Sequence, residues 1–265
     1  MPALTLHHVA RYRSRDRIHY GRRVGDGFAR LSAPPWEGGV ETGDADDAAA
    51  ATLLAPVVPT KIVCVGLNYR EHIAESQTVI PDSVARGEPL LFLKPPSAVI
   101  ASGEAIRYPP GVTRLDPEGE LAIVIGKRAR SVRAEAALDH VAGFTCMNDM
   151  SARNYQKSDG QWTRAKGFDT FAPLGPWIAI GARFEALEVE CRVNGERRQH
   201  GNTRDLIYSV PFLVGYVSSI MTLEPGDVIA TGTPAGVAPV AVGDRIEVEV
   251  EGIGVLENIV EMTPS

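Results

Sequence analysis

Short apolar segments rich in β-branched residues recur along the chain from residue 61 onward, and no other feature limits the fold as strongly. Glycine, proline or aspartate borders most of them, a pattern typical of β-strands separated by turns. The segments are KIVCVGL, LLFLK, ELAIVIG, VAGFTCMND, PWIAIG, LEVECRV, DVIATG and DRIEVEV. A chain with this pattern is predicted to fold mainly into β-sheet.

Turn and helix signals between these segments are few. Asn194 and Gly195 lie at the centre of VNGE, which predicts a tight hairpin. Apolar residues of 204–221 recur every three to four positions, which predicts a helix that Pro211 kinks. A second, short helix is predicted over 68–76. Because strands and helices do not alternate regularly, we predict a β-rich α+β fold with long connecting loops.

The first 55 residues differ from the rest of the chain. Alternating polar and apolar residues around 25–27 predict a hairpin. An acidic, alanine-rich stretch follows, and Pro56 and Pro59 precede the first of the apolar segments. We therefore predict a small N-terminal β-rich domain over residues 1–55 and a larger domain over 56–265.

Composition excludes several classes of protein. The 265 residues are 44% hydrophobic and 23% charged, which is globular rather than disordered usage. The net charge is −6 and no block of five basic residues occurs, so we expect no nucleic-acid partner. No apolar run approaches the roughly 18 residues of a membrane span, and the N-terminus lacks a secretion signal. We expect a cytoplasmic protein without membrane contact, and the three widely spaced cysteines predict neither disulfides nor a zinc site.

Three carboxylates are candidates for a metal site. Glu118 and Glu120 stand two apart in an extended segment, so they point to one face. They either share a divalent cation with oxygen preference or lie at a solvated strand end. Asp149 closes an apolar strand, where it either caps the next helix or joins a site. If the three converge, they form a cluster of charge −3 suited to Mg²⁺, Mn²⁺ or Ca²⁺.

Other polar residues stand where they could assist a reaction. His72 and Glu75 share one face of the short predicted helix, as a base with its orienting carboxylate or as a plain surface pair. Lys166 is either a charge partner for an anionic substrate or a lysine that reaches solvent. The turn TGTPAGV can hold a carboxylate through its backbone N–H groups, with Thr233 adding a hydroxyl. It lacks the spacing of a nucleotide-binding loop.

These segments, in their order, resemble the fumarylacetoacetate hydrolase family. The resemblance runs from about residue 61 to the end, and the first 55 residues look like the small variable domain that many bacterial members carry. The matching stretches are GLNYREHIAE, LLFLKPPSAVI, EGELAIVIGK, GFTCMNDMSARNYQ, QWTRAKGFDTFAPLGPWI, VNGERRQHGNTRDLIY and LEPGDVIATGTPAGV.

The resemblance implies a mixed β-sheet around a partly rolled β-barrel and a homodimer. It implies a Mg²⁺ or Mn²⁺ site, which Ca²⁺ can fill in crystals, and a mobile lid over about 68–88. The residues that match the family's functional positions fall into three groups: metal ligands Glu118, Glu120 and Asp149, lid residues His72 and Glu75, and substrate contacts Lys166, Arg153, Gln156 and Thr233.

The family's reactions share one intermediate, because each passes through an enolate that a metal can stabilise. They are hydrolysis of acylpyruvates, isomerisation of 2-hydroxy-dienedioates and decarboxylation of oxaloacetate-like acids. We expect an enzyme acting on a 2-oxo or 2-hydroxy-dienoate acid in aromatic-compound catabolism, by C–C hydrolysis or isomerisation rather than decarboxylation. Two other hypotheses stay open, a metal-assisted carboxylate-binding protein and a metal-free structural protein.

Overall fold

The structure is a computed structural model, and it describes residues 6–75 and 85–264. Within these ranges the chain is strand-rich, which confirms the predicted α+β class. The described helices are α1 (Arg70–Glu75), α2 (Arg153–Asp159), α3 (Thr163–Lys166) and α4 (Val210–Ile220).

The strands of the first half of the chain are β1 (His7–Ser14), β2 (Arg17–Val24), β3 (Gly27–Leu31), β4 (Glu41–Asp47), β5 (Thr52–Leu54), β6 (Ile62–Gly66), β7 (Leu90–Lys94), β8 (Val99–Ile100), β9 (Ile106–Tyr108), β10 (Leu115–Asp116) and β11 (Gly119–Ile125). Those of the second half are β12 (Val141–Asn148), β13 (Ser151–Ala152), β14 (Ala172–Ile180), β15 (Glu188–Val193), β16 (Glu196–Asn202), β17 (Val228–Ala230), β18 (Arg245–Val250) and β19 (Gly254–Met262). Each of the eight predicted segments forms a strand.

Two main sheets organise the chain. The large sheet follows the order β4-β3-β2-β1-β14-β12-β11-β17-β6-β7, with β5 beside β1 and β8 beside β14. The small sheet follows the order β16-β15-β18-β19-β9, and β10 pairs with β13 alone. Strands β11 and β12 lie near the middle of the large sheet and run antiparallel, so the start of β11 lies beside the end of β12.

Strand β11 is buried on both faces. Leu121 and Ile123 belong to the largest apolar cluster of the core, which includes residues of the small sheet. Ala122 and Val124 point the opposite way into a second cluster. The sequence of a strand that is covered on both faces is a nearly continuous apolar run, which explains the composition of ELAIVIG. Polar residues at its start are therefore held next to the core.

The predicted turns are present, and the N-terminal strands extend the large sheet. Residues 25–26 connect β2 to β3, and Asn194 and Gly195 connect β15 to β16 with positive φ angles of 53° and 80°. Strand β1 pairs with β14, so the strands of the first 55 residues continue the large sheet without a break. The division at residue 56 stays a prediction.

Both helix predictions need correction at their ends. Helix α4 begins at Val210, and Pro211 lies in its first turn instead of kinking it. Proline suits that position because the first N–H groups of a helix have no intrahelical acceptor. The short helix is α1, and the rest of the predicted lid from residue 76 to 84 lies outside the described residues. None of the described helices is long and apolar enough to cross a membrane.

Candidate metal centre

Three carboxylates meet where β11 begins and β12 ends. Gly119 pairs with Asn148 and Glu120 with Met147, so Glu118 lies opposite Asp149 and Glu120 lies on the same face two residues further along β11. One carboxylate oxygen from each lies within 4.8 Å of the other two, and all three side chains are buried. The solvated strand end considered for the glutamates is therefore wrong. The helix cap considered for Asp149 is also wrong, since Ala152 is the residue that precedes α2.

Buried cations neutralise two of the three carboxylates. The Lys166 Nζ donates to Glu118 Oε2 and to Asp149 Oδ2, each at 2.6 Å, so this lysine does not reach solvent. The Lys94 Nζ donates to Asp149 Oδ1 and to the carbonyl of Met150. Sequence reasoning missed Lys94, although a lysine that ends the apolar strand LLFLK was a usable signal because such a buried charge needs a partner.

Arg153 completes the cationic surroundings of Glu118. Its guanidinium donates to Glu118 Oε1 at 2.5 Å and to Asp116 Oδ2 at 2.8 Å, and its third nitrogen donates to Gln156 Oε1 at 2.8 Å. Burial opposes ionisation of Glu118, but Arg153 and Lys166 outweigh it and hold the pKa of that carboxyl well below its usual range. Glu118 is therefore ionised at neutral pH. That Arg153 and Gln156 contact a substrate stays a prediction.

Glu120 differs from its two neighbours because it lacks a cationic partner. It is 2% exposed, and Gly232 N–H donates to its Oε2 at 2.8 Å. Among the described residues, no lysine or arginine forms an ion pair with it. Burial raises the pKa of Glu120 well above its usual range, and the charges of Asp149 and Glu118 raise it further.

The donor set fits a divalent cation. Three carboxylate oxygens lie close together, and hard oxygen donors are the ligands that Mg²⁺, Mn²⁺ and Ca²⁺ prefer. A cation held between them would supply the positive charge that pairs with Glu120 and would lower the pKa of its carboxyl group. Glu118, Glu120 and Asp149 are thus the residues that could hold such an ion.

The predicted base and its orienting carboxylate lie on α1. His72 is largely buried, with 13% of its side chain exposed, and its Nδ1 lies 3.8 Å from Glu75 Oε2. That nitrogen has no hydrogen-bond partner within the described ranges. Burial lowers the pKa of His72, although the nearby charge of Glu118 acts in the opposite direction. The imidazole is therefore neutral at pH 7 and able to accept a proton.

Helix α1 is tied to the rest of the site by Asn68, which sequence reasoning also missed. The side-chain amide of Asn68 donates to the carbonyl of Thr231 at 2.7 Å, and its oxygen accepts the N–H of Tyr208 at 2.8 Å. Glu75 Oε2 accepts the N–H of Gly236 at 2.8 Å. The start and the end of the helix are thus both attached to the loop that follows β17.

The turn after β17 holds a carboxylate, and that carboxylate is the protein's own Glu120. The hydroxyl of Thr233 donates to the carbonyl of Gly119 at 2.9 Å and accepts from Gln199 Nε2 at 2.7 Å. Thr233 is buried and contacts the backbone between the two glutamates. Its predicted contact with a substrate stays a prediction.

Comparison with known proteins gives these features a context. Residues 61–261 match the family described as fumarylacetoacetate (FAA) hydrolase C-terminal, and residues 7–56 match the one described as Rv2993c-like, N-terminal. The chain is 50% identical over 205 residues to the uncharacterized protein MJ1656 of Methanocaldococcus jannaschii, with 77% of this chain and 84% of the relative covered. It is 43% identical over 220 residues to the mitochondrial oxaloacetate tautomerase FAHD2B of Bos taurus, with 78% and 68% covered.

Solved structures agree with the match over nearly the whole chain. The 2-hydroxyhepta-2,4-diene-1,7-dioate isomerase of Mycobacterium marinum is 39% identical, with a TM-score of 0.89 and coverage of 98% of this chain and 100% of the isomerase. Maleylpyruvate hydrolase of Sphingobium sp. SYK-6, solved with manganese(II) and pyruvate, is 30% identical, with a TM-score of 0.78 and coverage of 97% and 100%. The resemblance predicted from the sequence is therefore confirmed, and the chain belongs to the fumarylacetoacetate hydrolase family.

Proposed function

We propose that the chain is a divalent-metal-dependent enzyme that moves a proton beside the carbonyl of a 2-oxo acid. It would act as an isomerase or tautomerase on a 2-hydroxy-dienoate or related acid, in aromatic-compound catabolism. The observation that carries this proposal is the buried group of three carboxylates with the neutral imidazole of His72 near Glu118. Enolisation needs a site for an electrophile and a base that is unprotonated at neutral pH, and the three carboxylates and His72 are proposed for these two roles.

Charge favours an anionic substrate at this site. Four buried carboxylates are paired or surrounded by four cations, so their formal charges balance: Asp116, Glu118, Glu120 and Asp149 with Lys94, Arg114, Arg153 and Lys166. A divalent ion held by Glu118, Glu120 and Asp149 would make this group positive. When bound, the ion supplies Lewis-acid stabilisation of the charge that develops on the substrate oxygen.

His72 is proposed to carry the proton. An Nδ1–H directed at Glu75 leaves the lone pair on Nε2, which takes a proton from the carbon beside the carbonyl and returns it at another position. Glu75 is the orienting residue, because its Oε2 is held by Gly236 N–H and lies 3.8 Å from Nδ1. Lys166, buried between Glu118 and Asp149, is proposed to offer its charge to the substrate carboxylate.

Relatives support proton transfer ahead of the other reactions. The oxaloacetate tautomerase and the 2-hydroxyhepta-2,4-diene-1,7-dioate isomerase are 43% and 39% identical to this chain, and both names describe conversion of an acid to its isomer rather than cleavage of its carbon chain. The second candidate is C–C hydrolysis, which the maleylpyruvate hydrolase favours at 30% identity. Hydrolysis uses the same residues, with His72 taking its proton from water.

A substrate panel tests the proposal. The purified chain would be assayed with Mg²⁺ and with Mn²⁺, and again after EDTA, against a 2-hydroxy-dienedioate, the enol of oxaloacetate and an acylpyruvate. The expected result is metal-dependent loss of the enol or dienol absorbance, without release of a cleaved product or of carbon dioxide. Release of pyruvate and a carboxylic acid from the acylpyruvate would favour the hydrolase, and release of pyruvate and carbon dioxide from oxaloacetate would favour an oxaloacetate-type decarboxylase.

Two results would overturn the proposal. Metal binding with no turnover of any substrate in the panel would contradict an enzyme acting on these acids and favour a carboxylate-binding protein. Full turnover in EDTA would contradict the metal dependence of the reaction. Either outcome can be separated from misfolding by comparing the far-UV circular dichroism of the same sample.

We also propose that the enzyme is a homodimer. The support is the resemblance to the fumarylacetoacetate hydrolase family, which implies a homodimer, together with the general prevalence of two-fold dimers. Sedimentation at micromolar concentration should give about twice the mass of the 28.5 kDa chain. A single species of monomer mass would contradict this.

A further inference from the structure

Gly119 controls the relative position of the two glutamates, because it is the residue between them. A Cβ at this position would lie 3.2 Å from the Cβ of Cys191 and 3.2 Å from Val248 Cγ1, both in the small sheet. The face of Gly119 opposite the glutamates is therefore packed tightly against that sheet. Any movement of this peptide changes the distance between the carboxylates on its two sides.

Both polar groups of Gly119 are held by one side-chain network. Its N–H donates to Gln199 Oε1 at 2.9 Å, and its carbonyl accepts the Thr233 hydroxyl at 2.9 Å. Gln199 Nε2 donates to Thr233 Oγ1 at 2.7 Å and to the carbonyl of Pro234 at 2.8 Å. The amide orientation of Gln199 follows from these partners, since its oxygen faces a donor and its nitrogen faces two acceptors.

The strand that carries Gln199 is shaped to deliver it. Strand β16 has mostly exposed side chains around Gln199, yet Gln199 itself is 1% exposed. Gln199 pairs with Cys191, but the next pair is Arg192 with Arg197, so Arg198 is an extra residue. Such a bulge bends a strand and re-aims the side chains next to it. The small sheet thereby places one buried amide against the start of β11.

Two glycines allow the loop after β17 to approach this amide. Gly236 has a φ of 101°, and a Cβ there would lie 2.0 Å from the carbonyl oxygen of Arg198. A Cβ on Gly201 would lie 2.5 Å from Pro234. Neither distance leaves room for a side chain. Glycine at these two positions is therefore what allows β16 to pack closely against this loop.

We propose that Gln199 is a positioning residue for the metal centre, which it sets by fixing the Gly119 peptide and the Thr233 hydroxyl at once. This inference rests on the proposed function, because it assigns Gln199 a role in how Glu118 and Glu120 hold the ion. Gln199 touches neither carboxylate. It acts through the backbone between them, and it belongs to the small sheet although the carboxylates belong to the large one.

Mn²⁺ binding in the full chain tests this role. The dissociation constant and the electron paramagnetic resonance spectrum of bound Mn²⁺ would be measured for the wild type, Gln199→Met and Thr233→Val. Loss of a residue that orients metal ligands typically weakens metal affinity by about 10- to 100-fold, and we expect a loss in that range for both variants. The double variant should lose no more than about the larger single loss, because both changes break one network.

Matched variants separate positioning from general stability. Thr231→Val removes a buried hydrogen bond of 2.9 Å from the Thr231 hydroxyl to the carbonyl of Leu121 in β11. This variant is expected to lower the free energy of unfolding and to leave the Mn²⁺ affinity within about twofold of the wild type. Thr233→Ser keeps the hydroxyl and should retain affinity. If Gln199→Met fails to fold, the contrast between Thr233→Val and Thr233→Ser decides the question.

The possible failures are distinguishable. Wild-type affinity and an unchanged spectrum in folded Gln199→Met would overturn the positioning role and leave the proposed function standing. Equal losses in Thr231→Val and Gln199→Met would also overturn it, because both would then reflect stability alone. Absence of Mn²⁺ binding in the wild type would overturn the proposed function and this inference together.

Discussion

The surroundings of Asp46 and of Glu120 shift the pKa values of these two carboxylates in opposite directions. Asp46, in the N-terminal strands, accepts hydrogen bonds from the hydroxyls of Tyr12 and Ser14 at 2.7 and 3.0 Å and from Arg30 at 2.9 and 3.1 Å. Arg30 above all holds the pKa of Asp46 below its usual range. Glu120 has one backbone N–H as its donor, and its pKa is raised by burial and by two neighbouring carboxylates.

The contrast separates a structural charge from a functional one. Asp46 has the partners that a buried carboxylate needs, so it stabilises the folded state. Glu120 is buried beside two other carboxylates and forms no ion pair with a lysine or arginine of the described ranges, an arrangement that costs stability. Groups with such raised pKa values cluster at functional sites. We therefore expect substitutions near Asp46 to change stability and substitutions near Glu120 to change activity.

The largest expected effect is at the three carboxylates. Individual Glu118→Ala, Glu120→Ala and Asp149→Ala variants should abolish metal-dependent turnover, because each removes a proposed ligand. Glu120→Ala should remain fully folded because it relieves like-charge repulsion, whereas the other two should also lower the free energy of unfolding because they leave buried cations without a partner. Activity and circular dichroism would be measured on the same samples with Mg²⁺ or Mn²⁺. Full activity of all three variants in EDTA would contradict a functional role for the three carboxylates.

His72→Ala should have the next largest effect. Loss of the proposed base should reduce turnover by about 10² to 10⁴ and leave metal affinity nearly unchanged, since His72 is not a proposed ligand. His200→Ala is a matched control, because His200 pairs with Glu188 at 2.8 Å on the surface. The His200→Ala control should keep wild-type turnover. Unchanged turnover of His72→Ala on the true substrate would contradict the assignment of His72 as the base.

Glu75→Gln should reduce turnover less than His72→Ala does. The amide keeps the shape of the side chain but weakens the charge that orients the imidazole, so a loss of about tenfold is expected. The measurement is kcat with the metal saturating. A loss as large as that of His72→Ala would show that Glu75 itself transfers the proton.

Asp46→Asn should change stability and spare activity. Removal of its charge-assisted bonds should lower the free energy of unfolding by about 1.5 to 3 kcal/mol at neutral pH. Because the folded-state pKa lies below the ordinary value of 3.8, this stabilisation is present above that pH and is lost as the pH falls below it. Urea unfolding should therefore show the gap between wild type and variant narrowing in acid. A constant gap, or lost turnover, would contradict the structural role.

The smallest expected effect is that of Glu120→Gln on stability. In EDTA this variant should unfold at equal or slightly higher urea concentration than the wild type, with a gain of up to about 1 kcal/mol, because the amide removes a charge that burial and two carboxylates disfavour. The same urea series as for Asp46→Asn measures it. A clear destabilisation would mean that Glu120 is as structural as Asp46.

Sequence reasoning reached the carboxylates because their signals are local. Glu118 and Glu120 alternate with Gly119 on a strand, and Asp149 ends another strand, so spacing alone predicted a shared face and a position at a strand's end. His72 and Glu75 were found in the same way through helical spacing. Spacing did not decide between a metal site and a solvated end, since that choice depends on what covers the strand.

Other residues were missed because their partners are distant along the chain. Lys94 reaches Asp149 across 55 positions, and Gln199 reaches Gly119 across 80. Nothing within a few residues of Gln199 marks it as part of the site, and the local signal at Lys94, a charge at the end of an apolar strand, does not identify the carboxylate that it meets. Asn68 joins Thr231 across 163 positions for the same reason.

The sequence by itself determined the strand-rich class, the turns and the residues whose chemistry suits a metal, because alternation, turn residues and strand ends act within a few residues of the backbone. The tertiary structure alone decided which of those residues are buried together, which of the carboxylates pair with the described lysines and arginines, and that the small sheet contributes Gln199 to a site of the large one. Burial and long-range hydrogen bonds arise only when distant segments pack, and those two factors set the pKa values and the orientation of the site.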